Sequence, residues 1–354
     1  RIWGLSLNKH FVPLYEYFGS WEQFWKNDKN PPGLGIPEVL WDKYLTEKKR
    51  IDPEKLFETM ARQGIKMVAR SDPQFPGLLL QISNIPCILY YIGNILLLQE
   101  NSLAVVGARK ASFYGLQQAR LMAKDLAAQG LVIVSGLARG IDGAAHEGAL
   151  EAERGTIAVL GSGVDVPYPR ESKGLYSRIC ERGLVLSEFF PGTPPAQANF
   201  PIRNRIISGI SLGVFVIEAQ ARSGSLITCD YALEQGREIF ALPGPVNSPN
   251  SIGPLRLVQN GAKLVIYPED VLEELGFAYK NSLFEKRMEK VQALNGGEKW
   301  LLESINWEPV HIDSLLSRWA DGNNIFGHNI YEMLINMEIK GLIKQLPGKY
   351  YVRV

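Results

Sequence analysis

The chain has 354 residues, 46% hydrophobic and 21% charged, an ordinary globular composition that excludes disordered and fibrous classes and leaves room for two or three domains of ~100 to 200 residues. Lys plus Arg number 38 against 37 Asp plus Glu, a net charge of +1, so no global basic field advertises nucleic-acid binding and any polyanion site is local. Three cysteines, Cys87, Cys180 and Cys229, are too widely spaced for a CxxC pair and too few for a disulfide framework.

No apolar run approaches the ~20 residues needed to span a bilayer, and no charged leader precedes an apolar stretch, so no membrane association and a cytoplasmic location are expected. The first residue is Arg1 rather than Met, which points to a lost N-terminal segment.

Residues 1–62 read as short helices punctuated by Gly19, Pro31, Pro32, Gly33, Gly35 and Pro37, a small helical domain of SAM-like or helix-hairpin-helix-like type. From about residue 63 to 279 the pattern changes to short β-branched runs: Leu103 to Val106, Leu131 to Val134, Thr156 to Leu160, Leu184 to Leu186, Val214 to Ile217, Ile239 to Leu242 and Lys263 to Ile266. Helix-length segments such as Tyr114 to Gln129, Gly143 to Glu153 and Leu226 to Gln235 lie between them. Such alternation, with near-continuous apolar strands, predicts an α/β domain whose mostly parallel sheet is covered on both faces. Runs at Ile65 to Val68 and Ile88 to Ile92 add strands to it or form a flap.

Residues 280–297 are polar and read as a linker. The last unit, 295–354, has helical segments near Glu298 to Ser304, Ile312 to Ser317 and Ile325 to Lys340, then Leu342 to Leu346, a turn at Pro347-Gly348-Lys349, and Tyr350 to Val354. Three helices capped by a hairpin describe a winged-helix domain, whose near-balanced charge does not support phosphate binding.

In an open parallel sheet, ligands gather at the carboxyl ends of strands. The first such end is Val105-Val106-Gly107-Ala108-Arg109, which lacks the G-x-G-x-x-G of a dinucleotide site but offers a guanidinium able to grip phosphate in two places. In Ser135-Gly136-Leu137-Ala138-Arg139-Gly140-Ile141-Asp142, continuing to His146, a cap and a packed or hydrogen-bonded imidazole are favoured over catalysis. Gly161-Ser162-Gly163 shapes a turn, with Arg170 adding a cation beyond Tyr168-Pro169. Phe200-Pro201-Ile202-Arg203-Asn204-Arg205 sets an aromatic beside two arginines, the combination used on single-stranded nucleic acid; Phe200 as core and both arginines as ion-paired helix residues is an equal alternative. Arg222-Ser223-Gly224-Ser225-Leu226 opens a helix after a strand, an anion loop or simply a capped helix start; without a Walker lysine it does not imply NTP hydrolysis. Arg237 reads as a solvated charge.

These segments, with Ser71-Asp72-Pro73, Leu89-Tyr90-Tyr91-Ile92-Gly93-Asn94 and Pro243-Gly244, resemble the DNA-processing protein A family, also called DprA or Smf, over about 200 residues in consistent order. The resemblance implies an extended Rossmann-like domain, a homodimer, single-stranded DNA binding without catalysis or cofactor, and protection of incoming DNA and its delivery to a RecA-type recombinase in natural transformation. It implies that Arg109 binds backbone phosphate, Phe200 stacks on a base, Arg203, Asn204 and Arg205 shape the pocket, and Ser223, Gly224 and Ser225 receive phosphate. Arg139 is expected among the DNA-binding residues, and Arg170 and Arg237 would widen the DNA surface. Relatives often carry His at the place of Asn199, and some a lysine near Gln197, so one cationic contact is expected to be missing. The alternative is a nucleotide-processing enzyme related to nucleotide phosphoribohydrolases, which place a glutamate beside the anion loop; here the helix offers none before Glu234.

Overall fold

The computed structural model describes residues 8–278, 294–305, 309–322 and 329–353. The linker read at 280–297 and the start of the last predicted helix therefore fall largely outside the described residues.

Near the N-terminus four helices follow one another: α1 (Asn8–Phe18), α2 (Trp21–Lys26), α3 (Glu38–Lys48) and α4 (Pro53–Arg62). Side-chain oxygens of Ser20 and Asp52 cap α2 and α4, and Pro53 occupies a first-turn position whose missing N–H costs nothing. Phe24, Trp41 and Tyr44 form the buried ring cluster of this region, with centroids 5.0 Å apart for both Phe24–Tyr44 and Trp41–Tyr44.

Nine described strands make the central sheet: β1 (Lys66–Ala69), β2 (Ile88–Gly93), β3 (Ser102–Val106), β4 (Val132–Ser135), β5 (Thr156–Val159), β6 (Leu184–Ser187), β7 (Gly213–Val216), β8 (Glu238–Ala241) and β9 (Lys263–Leu264). Their order is β1-β2-β6-β5-β4-β3-β7-β8-β9. Strands β3 to β9 pair in parallel, whereas β1 and β2 are antiparallel additions on the β6 side. The apolar runs at Ile65 to Val68 and Ile88 to Ile92 thus extend the sheet.

Both faces are covered, which is why β3 through β7 read as unbroken apolar runs. Ala104 and Val106 of β3 face a core built with Ile206 and Ile207, while Leu103 and Val105 face another with Leu126 and Ala149. The helices supplying those cores are α5 (Phe113–Ala128), α6 (Ile141–Glu151), α8 (Asn199–Gly209), α9 (Leu226–Glu234), α10 (Ile252–Gln259) and α11 (Pro268–Glu274), while α7 (Lys173–Arg182) packs Ile179 into a third cluster with Ala158 and Val185. Each fully buried Val, Leu or Ile contributes about 1.5–3 kcal/mol. Winding starts at the centre: β3 leads outward through β4, β5 and β6, and the chain then returns to place β7 on the other side of β3 and continues through β8 and β9. Strand order therefore reverses between β3 and β7.

The C-terminal residues form α12 (Gly296–Ser304), α13 (Ile312–Gly322) and α14 (Ile330–Ile339) with a small antiparallel sheet of β10 (Val310–His311), β11 (Ile343–Leu346) and β12 (Tyr350–Arg353), ordered β10-β12-β11. An Asn295–Glu298 capping box opens α12, and Leu301, Leu315, Leu334 and Met337 fill the core. Among the described residues, no helix is long and apolar enough to cross a membrane. All three cysteines are free thiols.

Candidate nucleic-acid interface

At the carboxyl ends of the neighbouring strands β3 and β7 a cleft of about 710 Å³ opens. One wall is the loop after β3, which carries Arg109 and Lys110; the other is the loop after β7, which carries Arg222, Ser223, Gly224 and Ser225. α8 contributes Phe200, Arg203 and Asn204. Four cations (Arg109, Lys110, Arg203, Arg222) and one carboxylate, Asp142, line the cleft. The balanced chain thus concentrates positive charge at one place.

The β3 wall is pinned. Buried Glu218, just beyond β7, accepts from the Ser112 backbone N–H at 2.8 Å, the Ser112 hydroxyl at 2.5 Å and the Asn250 amide at 3.2 Å. Asn250 also donates to the Lys110 carbonyl at 3.0 Å, and Ala108 N–H donates to the Glu218 carbonyl at 2.7 Å. Behind this wall Gly140 adopts φ +79, and a Cβ there would lie 2.2 Å from the Ala108 carbonyl oxygen. Glycine is required twice over, for its dihedral and for the close approach.

Residues 199–209 form α8, as the alternative reading of Arg203 and Arg205 as helix residues has it. Pro201 falls in its first turn, where a proline is tolerated. Helical spacing sets Phe200, Arg203, Asn204 and Ile207 along the cleft. Phe200 is half-buried and packs one edge of its ring against Gly161, where a Cβ would come within 2.8 Å of it. The Asn199 amide donates to the Gly161 carbonyl at 3.0 Å, and the Arg109 guanidinium sits 5.3 Å over the Phe200 ring centroid. Gly161 thus does more than shape a turn.

Arg203 is buried under the cleft floor. Its guanidinium donates to the carbonyls of Gly136, at 2.8 Å, and Val159, and to the Asn204 side-chain oxygen at 3.1 Å. Burial lowers its pKa to about 10, leaving it cationic at neutral pH. Asn204 donates to the Gly224 carbonyl at 3.3 Å, tying α8 to the serine loop. Asp142 accepts from the backbone N–H groups of Gly136 and Ala138, at 3.1 and 3.4 Å. Burial pushes its carboxyl upward, against the pull of Arg203. It stands in the first turn of α6, whose N-cap is Gly140. His146, one turn on, is fully buried against the Thr156 hydroxyl at 2.8 Å; burial lowers its pKa to about 3. It packs beneath the sheet end and does not line the cleft.

The serine loop is not a simple helix cap. Ser225 is the N-cap of α9 but its side chain makes no cap hydrogen bond; its hydroxyl pairs with that of Ser223 at 2.8 Å. The first turn of α9, with its positive dipole end, faces the cleft beside an exposed Gly224.

Of the predicted site residues, the cleft gathers Arg109, Phe200, Arg203, Asn204, Ser223, Gly224 and Ser225. It does not gather Arg205, which is buried in a two-pronged ion pair with Glu188 at 2.7 and 2.8 Å. Two residues along a helix is about 200° of rotation, so Arg203 and Arg205 leave α8 on opposed faces. Arg237 precedes β8 and so belongs to the amino ends of the strands; it is half-buried and donates to the Leu78 carbonyl at 2.8 Å and to Gln81 at 3.3 Å, not a free solvated charge. Arg139, ion-paired with Glu171, and Arg170 are exposed and outside the lining. Lys110, Arg222, Tyr168 and Asn250 line the cleft and were not predicted as site residues. The neighbour of Arg109 and the arginine opening the serine loop were signals for the first two; Asn250 had none.

The cleft occupies the crevice in which doubly wound α/β proteins hold their ligands, and this chain is one of that class. A family model described as DNA recombination-mediator protein A matches residues 66–276, and the chain belongs to that family. It is 43% identical over 284 residues to Protein Smf of Escherichia coli (strain K12), covering 78% of this chain and 74% of that one. DNA processing protein DprA of Streptococcus pneumoniae is 48% identical over 245 residues, 69% of this chain and 84% of its own. The X-ray structure of Streptococcus pneumoniae DprA superposes with a TM-score of 0.67 at 39% identity, covering 77% of this chain and 94% of that chain. A Helicobacter pylori DprA structure described for its single-stranded DNA binding mode gives 0.55 at 28% identity, covering 61% and 97%.

Proposed function

We propose that the cleft binds single-stranded DNA without consuming it, and that the protein protects incoming strands and hands them to a RecA-type recombinase during transformation. The observation that carries this reading is the half-buried Phe200 beneath Arg109, in a cleft lined by four cations where the strand order reverses. The described binding mode of the Helicobacter pylori relative supports the polymer class. Arg109, Lys110 and Arg222 meet phosphates, the serine loop with the first turn of α9 receives one more, and Phe200 stacks on a base. Arg205 and Arg237 support the fold, while Arg139 and Arg170 lie on the outer path of the strand. Residues 1–62, 63–279 and 295–354 act as a helical domain, the DNA-binding domain and a winged-helix domain. A homodimer presents two linked clefts and so binds long strands more tightly than one.

The test compares single-stranded oligonucleotide, duplex and mononucleotide across a salt series, with Arg109→Ala and Phe200→Ala beside wild type. Single strands are expected to bind best, each variant to bind more weakly, and mononucleotide to be recovered unchanged. Consumption of mononucleotide, or equal binding of duplex with both variants behaving as wild type, overturns the reading.

A further inference from the structure

Beside Phe200 stands a second ring that the assignment above leaves without a role. Tyr168 lines the same cleft and is 42% exposed, with its ring centroid 5.7 Å from that of Phe200 and the two planes inclined by 31°. Among the described residues its hydroxyl makes no hydrogen bond. The backbone beneath it is firmly mounted. The Ser162 hydroxyl donates to the Val166 carbonyl at 2.7 Å, the Tyr176 hydroxyl to the Val164 carbonyl at 2.6 Å, and Gly192 N–H to Asp165 at 2.7 Å. Pro169, next in the chain, is buried. An exposed tyrosine held open on so well tied a loop, next to a cationic floor, is a surface with an unfilled partner.

We propose that Tyr168 is a second base-stacking residue, forming with Phe200 a two-ring platform for consecutive nucleobases of a single strand. The proposal rests on the cleft binding single-stranded DNA. Stacking suits any base, because each has a π-face. The 5.7 Å between ring centres exceeds the ~3.4 Å per nucleotide of a duplex strand, so the platform fits bases that have been drawn apart and disfavours a stacked helix. Arg109, over the Phe200 ring, then stands beside the phosphates that join such bases.

The experiment measures oligothymidylate affinity across a salt series for wild type, Tyr168→Ala, Tyr168→Phe, and Tyr168→Ala combined with Phe200→Ala. Tyr168→Ala is expected to weaken binding by about 5- to 150-fold with an unchanged salt slope, because stacking neutralises no phosphate. Tyr168→Phe is expected to bind as wild type, and the alanine change is expected to cost affinity again in the Phe200→Ala background. No loss, or a loss that vanishes once Phe200 is gone, overturns the proposal by reducing Tyr168 to a bystander or a prop for Phe200. A measurement on the unaltered protein guards against a misfolded variant: irradiating its complex with an oligomer carrying 5-iododeoxyuridine is expected to leave adducts on both Tyr168 and Phe200. Adducts on Phe200 alone overturn the two-ring platform but spare the site. Failure of wild type to bind single strands overturns the underlying reading as well.

Discussion

Arg203 and Arg205 stand two positions apart and end in unlike places, one under the cleft floor and the other against Glu188. Removing Arg205 takes the cation from a nearly buried carboxylate, so Arg205→Ala is expected to lose about 3–5 kcal/mol in urea unfolding, while native protein keeps the wild-type salt slope for DNA. Arg109→Ala does the reverse: stability is expected to change little, and the slope of log affinity against log salt to fall by ~0.7 for the lost phosphate contact. His146 gives a pH signature. Its folded pKa, about 3, lies below the 6.5 of an unfolded histidine, so between those values the unfolded chain binds the extra proton. Stability from this group is therefore complete above pH 6.5 and declines as pH falls, by about 1.4 kcal/mol per unit at most. Asp142 has the opposite sign, since burial raises its pKa and its contribution is lost as pH rises through the folded value. Comparing wild type with His146→Leu by urea unfolding from pH 7 to pH 4 isolates the histidine: the variant's stability is expected to depend less steeply on pH.

The loop from β3 to α5 is the element on which the cleft's geometry turns. Ser112 both caps α5, accepting from Gly115 N–H at 3.0 Å, and donates twice to Glu218, so one buried carboxylate fixes the helix start and the arginine loop together. Glu218→Gln puts an amide NH2 where an oxygen accepted. We expect a loss of about 1–3 kcal/mol in stability and, in folded protein, weaker DNA binding with a shallower salt slope as Arg109 and Lys110 lose their aim. The strands were legible because burial on both faces leaves runs of Val, Ile and Leu, as in Leu103 to Val106. α8 was less so, because its apolar, amide and guanidinium side chains serve several different neighbours and no single period stands out. An ion-paired Arg205 was one of the two readings that segment left open, and what stayed hidden was its partner: Glu188 lies 17 residues upstream, brought alongside only by the sheet.

Across the whole molecule, basic and acidic side chains nearly cancel, so on the proposed reading the cleft is expected to supply most of the electrostatics of DNA binding. With three exposed lining cations, Arg109, Lys110 and Arg222, at ~0.7 each, the cleft itself is expected to give a salt slope of about −2 per protomer; a markedly steeper value would reveal phosphate contacts outside it, at Arg139 and Arg170 or elsewhere. The resemblance draws its motifs to one cleft because most of them end strands at the same edge. It could not separate the residues facing that edge from those, such as Arg237, set at the opposite one.

The junction of β3 with β7 has one more consequence. At the root of the two walls the main chains stay paired beyond Val106 and Val216, with Ile217 N–H donating to the Val106 carbonyl at 3.2 Å and Ala108 N–H to that of Glu218, at the ~4.8 Å spacing common to every sheet. Side chains along the rim can be exchanged in descendants to suit other polymers, while the calibre of the slot is inherited unchanged from the main chain.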